Sequence, residues 1–369
     1  MNMEQPVLAV KNLLVKRGGA TVLDIDAFSV NRGEVVGLIG PNGAGKSTLL
    51  LAMSKLLKAK RGNMYFKGND IESGNGAFAY RRMLSMVFQE PLLFDTTVYN
   101  NIASGLKIRG MASSGIRKTV MEHLNRFGIS HLAKRSARKL SGGEAQRTSL
   151  ARAFATGPEI IFLDEPFSSL DPPTREALMD DLQRNLQEAG ATAVMATHDQ
   201  MEALRLADRI AVMNQGRIVQ MGPPEEVINQ PVDEFVASFV GTETILRGKL
   251  IKTGEGTFTI AVSGHEIEAV GTGQIGETVV CCIRPEHVTI SANPPGSATS
   301  SRNSFRGRIV KISRSGFFYK ISMDCGFPLV AYITSSSLEN LMLKEETQVF
   351  AAVKATAIHV IKHSPSMGS

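Results

Sequence analysis

The run VVGLIGPNGAGKSTLL, Val35 to Leu50, leaves a chain few ways to fold. Val35 to Ile39 is a short apolar stretch and reads as a buried strand. Gly40, Pro41, Asn42, Gly43, Ala44, Gly45, Lys46 and Ser47 follow in the order G-x-x-x-x-G-K-S, and Thr48 leads into an apolar helix. Glycines at this spacing let backbone N–H groups turn inward around phosphates, while the following helix aims its N-terminus at them. Lys46 would neutralise the β- and γ-phosphates of a nucleotide, and the Ser47 hydroxyl would ligate Mg²⁺.

A second stretch, EIIFLDEP from Glu159 to Pro166, reads as a core strand that carries Asp164 and Glu165 at its carboxyl end. Ligands of open α/β sheets bind at that end. Asp164 suits Mg²⁺, directly or through water, and Glu165 suits the polarisation of an attacking water. A third stretch, LSGGEAQRTSLARA, sets Ser141, Gly142 and Gly143 just before an amphipathic helix, which makes a second anion site. One chain thus holds two half-sites for one nucleotide.

These motifs resemble the ATP-binding cassette (ABC) family, whose signature is LSGGQ or LSGGE. The resemblance covers roughly residues 7–240 and implies an α/β P-loop ATPase with a helical subdomain at about 95–140. It implies head-to-tail pairing of two cassettes, the signature of one closing over ATP held by the other. It also implies roles for residues that are unremarkable singly. Gln89 in MVFQEP stands at the Q-loop position, which senses Mg²⁺, water and the membrane partner. Asp171 in SSLDP stands at the D-loop, and His198 in AVMATHDQMEA at the switch histidine that contacts the γ-phosphate. One position departs from the pattern: where family members stack an aromatic ring on adenine, this chain has Arg17. A guanidinium plane can stack on a purine. In the family a groove in the helical subdomain accepts a short helix of the transmembrane subunit, and Phe94, Val98, Tyr99 and Ile102 are candidates to line it.

After residue 240 helical character stops, and short β-rich runs follow between glycines. LRGKLIK (246–252) resembles FRGRIVK (305–311), and GETVVCCIRPEHVTI (276–290) resembles EETQVFAAVKATAIHVI (345–361), with the linker SANPPGSATSS between the copies. Two small β units of this size would bury their apolar faces against each other. The expected organisation is therefore a nucleotide-binding domain, 1–240, and an all-β, OB-like domain of two related halves, 241–369. The tail resembles the TOBE domain of ABC importers and, in SSRNSFRGRIV and VKATAIHVIKH, its Mop-like, molybdate-binding form. That resemblance implies an oxyanion site built from Ser301, Arg302, Asn303, Ser304, Lys354 and Thr356. A row of arginines is equally compatible with a solvated strand face.

Bulk properties narrow the function. No run of about 18 uninterrupted apolar residues occurs, and the N-terminus lacks the pattern of a signal peptide. Cys281, Cys282 and Cys325 make neither a metal spacing nor a disulfide framework, as expected in a reducing cytoplasm. From Gly241 onward there are 13 basic and 10 acidic residues, which leaves 28 and 25 before it. Each part therefore carries +3, no strongly basic lobe stands out, and no nucleic-acid partner is expected. No coiled-coil arms, second P-loop or fused membrane helices are present. The reading is a homodimeric ATPase, using ATP and Mg²⁺, peripheral on the cytoplasmic face of the membrane. It would drive two permease subunits and, indirectly, serve an external substrate-binding protein. Molybdate or tungstate is the expected cargo; sulfate, polyamine, sugar or ferric iron are the alternatives, and a soluble ATP-dependent enzyme or regulator is the alternative outside transport.

Overall fold

The computed structural model describes residues 5–72, 76–294 and 300–362. Residues 295–299, part of the expected linker, lie outside them. The chain divides into two compact units, 1–224 and 225–369. The division falls earlier than the change of composition after residue 240. The cause is Ala237, on the short helix Glu234–Phe239, which is buried with Val280, Cys282 and Ile361 of the β-rich unit.

In the first unit, six strands form one sheet in the order Arg217–Gly222, Arg209–Asn214, Val35–Ile39, Thr192–Ala196, Ile160–Asp164, Leu84–Val87. All neighbours run parallel except the Arg209–Gly222 hairpin at one edge. Val35–Ile39, Ile160–Asp164 and Thr192–Ala196 are buried along their whole length, as befits strands covered on both faces. The two-residue period divides their side chains between two cores. Ile161, Leu163, Ala193 and Met195 face a helical layer with Ile102, Val120, Leu150 and Leu182. Ile160, Phe162, Val194 and Ala196 face the helix Lys46–Met53 and a second, antiparallel sheet built from Leu8–Arg17, Ala20–Val30, Arg61–Phe66 and Asn69–Asp70.

The helical layer contains Val98–Ile108, Ser113–Arg126 and Gly142–Ala155. Here one sequence expectation is corrected. Val98 and Ile102 are fully buried and Tyr99 packs against the same core, so of the four groove candidates only Phe94 is exposed. The periodicity of Val98–Ile108 marks an apolar face without saying that the face turns inward.

The second unit holds two five-stranded antiparallel sheets. The two halves exchange strands. The last strand among the described residues, Ile358–Lys362, pairs with Thr278–Ile283 of the first half, and Thr289–Ser291 pairs with Gln348–Val353 of the second. One core, from Leu246 and Ile260 through Phe305 to Val353, therefore serves both halves. The repeat extends to backbone detail. Both long strands shift register at equivalent places, between Leu250 and Lys252 and between Ile309 and Lys311. Gly248 and Gly307 are also equivalent: a Cβ would come within 2.5 Å of Ile260 Cγ2 at the first and of Cys325 Sγ at the second. No described helix is long and apolar enough to cross a membrane.

Candidate active site

The buried strand Val35–Ile39 ends at Gly40, where φ is 153° and a Cβ would lie 2.3 Å from the Met213 carbonyl oxygen. Only glycine fits there. The loop then turns through Gly43 (φ 80°) and Gly45 (φ 102°) into the helix Lys46–Met53, whose N-terminus has no side-chain cap. Its first-turn amides have no helical acceptor and face whatever anion the loop encloses. Lys46 is only 5% exposed, and its Nζ donates to Gly40 O at 2.7 Å and Pro41 O at 3.2 Å. Burial lowers its pKa, against the pull of Glu165 and Asp164.

Two strands away, Ile160–Asp164 brings its carboxylates to the same end of the sheet. Ser47 Oγ donates to Asp164 Oδ1 at 2.7 Å. Burial raises the pKa of Asp164, while the bond from Ser47 acts in the opposite direction. Glu165 adopts φ 43°, a left-handed conformation that a side-chain-bearing residue rarely takes. Its N–H donates to Ala196 O at 2.8 Å, and its carbonyl accepts from the N–H and hydroxyl of Ser168. Its carboxylate meets His198 Nδ1 at 3.1 Å, with Glu165 mostly covered and His198 about half exposed.

The structure thus gathers the glycine loop, Lys46, Ser47, Asp164, Glu165 and His198 into one cluster. The other expected residues stand outside it. Ser141 caps the helix Gly142–Ala155 in a reciprocal box: its oxygen accepts from Glu144 N, and Glu144 Oε2 accepts from Ser141 N at 2.8 Å. That N–H lowers the Glu144 pKa, and Arg135 beside it acts in the same direction. The box occupies the Ser141 side chain, while the first-turn amides of Gly142 and Gly143 at the helix N-terminus have no helical acceptor. Gly143 allows the close approach of the next helix, since a Cβ there would lie 2.7 Å from Thr174 Cγ2. Asp171 caps that helix, Pro172–Ala189, by accepting from Thr174 N. Gln89 is exposed after the edge strand Leu84–Val87, and Arg17 is exposed at the tip of the Leu8–Val30 hairpin. Among the described residues no hydrogen bond joins Ser141, Gly142, Gly143, Asp171, Gln89 or Arg17 to the cluster.

In the β-rich unit, Asn303 pairs with Val353, so Arg302 and Lys354 stand at the same end of one ladder. Asn303 itself is 2% exposed, and its amide is committed to Glu268 N, Glu268 O and Val353 O. It stitches strands together and has no donor left for an anion. Ser304, Arg306 and Arg308 lie on the exposed face of their strand, Arg308 paired with Glu346. Thr356 lines a different hollow, with Arg284, His287 and His359.

Two features had no strong sequence signal. Arg81, Arg82, Arg109 and Arg152 surround an apolar cavity of about 540 Å³ that contains Phe88, Leu92, Phe94 and Ile108. Arg152 stacks over Phe94 at 5.7 Å and donates to Leu92 O. The second is a buried network behind His198, formed by Thr197, Asp199 and Glu202.

A parallel sheet that presents a glycine loop and, two strands over, paired carboxylates defines a P-loop nucleotide hydrolase. The helical layer between those elements narrows it to an ATP-binding cassette. The comparisons agree. The ABC transporter family model matches residues 23–168, and the TOBE domain model matches 299–360. The molybdate/tungstate import ATP-binding protein WtpC of Pyrococcus horikoshii is 37% identical over 90% of this chain and 94% of its own. The spermidine/putrescine import ATP-binding protein PotA of Borreliella afzelii is 35% identical over 87% and 90%. The solved structure of cbiO1 from Clostridium perfringens, part of the ABC transporter complex cbiONQ, superposes with a TM-score of 0.57. It is 32% identical and covers 65% of this chain and 96% of that one. The chain belongs to the family of ABC transporter ATP-binding subunits, with a TOBE domain at its C-terminal end. It binds ATP, and it is an ATPase coupled to transport.

Proposed function

We propose that this subunit energises import of a tetrahedral oxyanion, molybdate or tungstate, by hydrolysing ATP at a site shared between two copies of the chain. The observation that carries the catalytic part is the juxtaposition of Lys46, Ser47, Asp164, Glu165 and His198 at the carboxyl end of the sheet's central strands. The loop amides and Lys46 hold the β- and γ-phosphates, and Glu165 orients and polarises the attacking water. Its unusual backbone angle is held by three hydrogen bonds, so the carboxylate's position is set before substrate arrives. His198 steadies Glu165 and offers its other ring nitrogen to the γ-phosphate.

The donor set fits Mg²⁺. Ser47 and Asp164 put two hard oxygens in contact, and a buried carboxylate with a raised pKa gains from a nearby cation. Those residues, with Gln89, would hold the ion, which supplies charge neutralisation at the phosphates.

Gly142 and Gly143 present helix N-terminal amides outside their own chain's cluster, which favours completion of a partner's site in a homodimer, with Ser141 and Asp171 at the junction. The arginine-rimmed groove around Phe94 and Ile108 suits an apolar permease helix bearing carboxylates. Two permease subunits would place the chain on the cytoplasmic face of the membrane, while an external binding protein delivers cargo to them from the opposite side.

The cargo assignment is supported by the molybdate/tungstate importer of Pyrococcus to which the chain is similar and by the place of Arg302, Ser304 and Lys354 at one end of a ladder, next to Ser301. A dianion there would report the internal concentration of cargo to the motor by linkage. Isothermal titration of the full chain, with its nucleotide site filled by ADP, tests this. Tungstate and molybdate should give binding heat that Arg302→Ala abolishes, with sulfate much weaker. No heat from any of the three would remove the oxyanion sensor and leave the ATPase untouched.

A further inference from the structure

We infer that Glu202, working through Thr197, is a positioning residue that holds His198 against Glu165. The inference rests on the roles proposed above for those two residues. Glu202 lies on the short helix Gln200–Leu206, directly after the histidine, and is 4% exposed. That helix packs tightly on the strand leading to the glycine loop: a Cβ on Gly37 would lie 3.2 Å from the Cβ atoms of Ala203 and Ala207. Glu202 is thereby sealed from water, and its carboxylate has a specific partner. Thr197 Oγ1, on a residue 1% exposed, lies 2.5 Å from Glu202 Oε2.

Thr197 Oγ1 donates to Glu202 and accepts from Asp199 N at 3.0 Å. The relay runs from the Asp199 amide through the Thr197 hydroxyl to the Glu202 carboxyl group. His198 is the residue it spans. Thr197 is also tied by its own N–H to Leu38 O at 3.0 Å, in the strand of the glycine loop. Asp199 is tied on the other side: its Oδ1 accepts from Met201 N at 2.8 Å, and its Oδ2 from Arg175 at 3.4 Å. The histidine thus sits between two anchored residues that are bonded to each other across it. Its ring, about half exposed, has the Glu165 carboxylate as its hydrogen-bond partner.

Burial pushes the Glu202 carboxyl above its usual range, while the Thr197 bond, Arg175 and His198 oppose the shift and Asp199 adds to it. The relay does not depend on the outcome. A protonated or an ionised carboxyl group keeps an oxygen that can accept from Thr197, and so does a glutamine amide. Leucine keeps the volume and has no acceptor.

The test is ATP turnover by the full chain in Glu202→Leu, Glu202→Gln, Thr197→Val and the Leu/Val double variant, beside His198→Ala. Glu202→Leu should lower kcat by roughly ten- to a hundredfold, the effect of a small misplacement of a reacting group. Its KM for ATP should stay within about twofold of the parent's, because no ground-state contact to nucleotide is lost. Its melting temperature should fall by no more than a few degrees, because a single buried hydroxyl loses its acceptor while an apolar side chain fills the place of a buried acid. Glu202→Gln should recover most of the rate. Thr197→Val should lose as much as Glu202→Leu, and the double variant no more than either. Glu202→Leu at the parent rate overturns the inference. So does Glu202→Gln as impaired as Glu202→Leu, or a loss of rate accompanied by equal losses of affinity and melting temperature. Full turnover in His198→Ala would instead overturn the reading of the site itself.

Discussion

Glu165→Gln is expected to bind ATP as the parent does and to turn it over about a thousandfold more slowly, within the span that a positioned general base contributes. An amide has nearly the shape of the carboxylate it replaces, and its carbonyl can still accept from His198, 3.1 Å away in the parent. The left-handed turn at Glu165 depends on backbone bonds to Ala196 and Ser168, which the substitution leaves alone. What disappears is the capacity to draw a proton from water. A thousandfold loss corresponds to about 4 kcal/mol of transition-state stabilisation. Phosphate release under saturating ATP, alongside equilibrium binding of the nucleotide, measures both halves. Turnover near the parent's would remove Glu165 from the catalytic role.

Lys46→Ala is expected to act on binding itself. The ammonium is buried, and the Gly40 and Pro41 carbonyls take two of its donors, which leaves one N–H for a phosphate. Burial alone would favour the neutral amine. Asp164 and Glu165 act against this, and bound phosphates would do so more strongly. A charge-assisted contact in so dry a place is worth about 1.5–3 kcal/mol, so affinity for ATP should fall roughly ten- to a hundredfold. Titration with a fluorescent ATP analogue would show it. Unchanged affinity would count against the glycine loop as the phosphate cradle.

Much of this arrangement is legible in the chain. Gly40–Ser47 follows an apolar run, and Asp164–Glu165 closes another. Two buried parallel strands that end in functional residues can hardly avoid delivering them to the same carboxyl end of the sheet. The pairing of the two halves in the β-rich unit is also visible, because LRGKLIK and FRGRIVK repeat the same glycine for the same steric reason. Other features escape a linear reading because they depend on which face of an element turns inward. Val98 and Ile102 look as suited to a docking groove as to a core, and only packing decides for the core. Asn303 looks like a donor in a polar segment until its amide is found spent on two neighbouring strands. The exchange of Ile358–Lys362 and Thr289–Ser291 between halves is a long-range pairing that local propensity does not encode. Glu202 is hidden for the opposite reason. A glutamate on a short helix ordinarily faces water, and nothing in THDQMEA marks this one as enclosed.

In the proposed mechanism two copies of the chain share each nucleotide, and molecular mass in solution tests that directly. Light scattering on Glu165→Gln with ATP and Mg²⁺ should give the mass of two chains, against one chain without nucleotide. Adding Ser141→Arg, which blocks the serine–glycine cap and leaves the glycine loop intact, should return it to one. A single-chain mass with ATP bound, or a dimer indifferent to Ser141, would contradict the shared site.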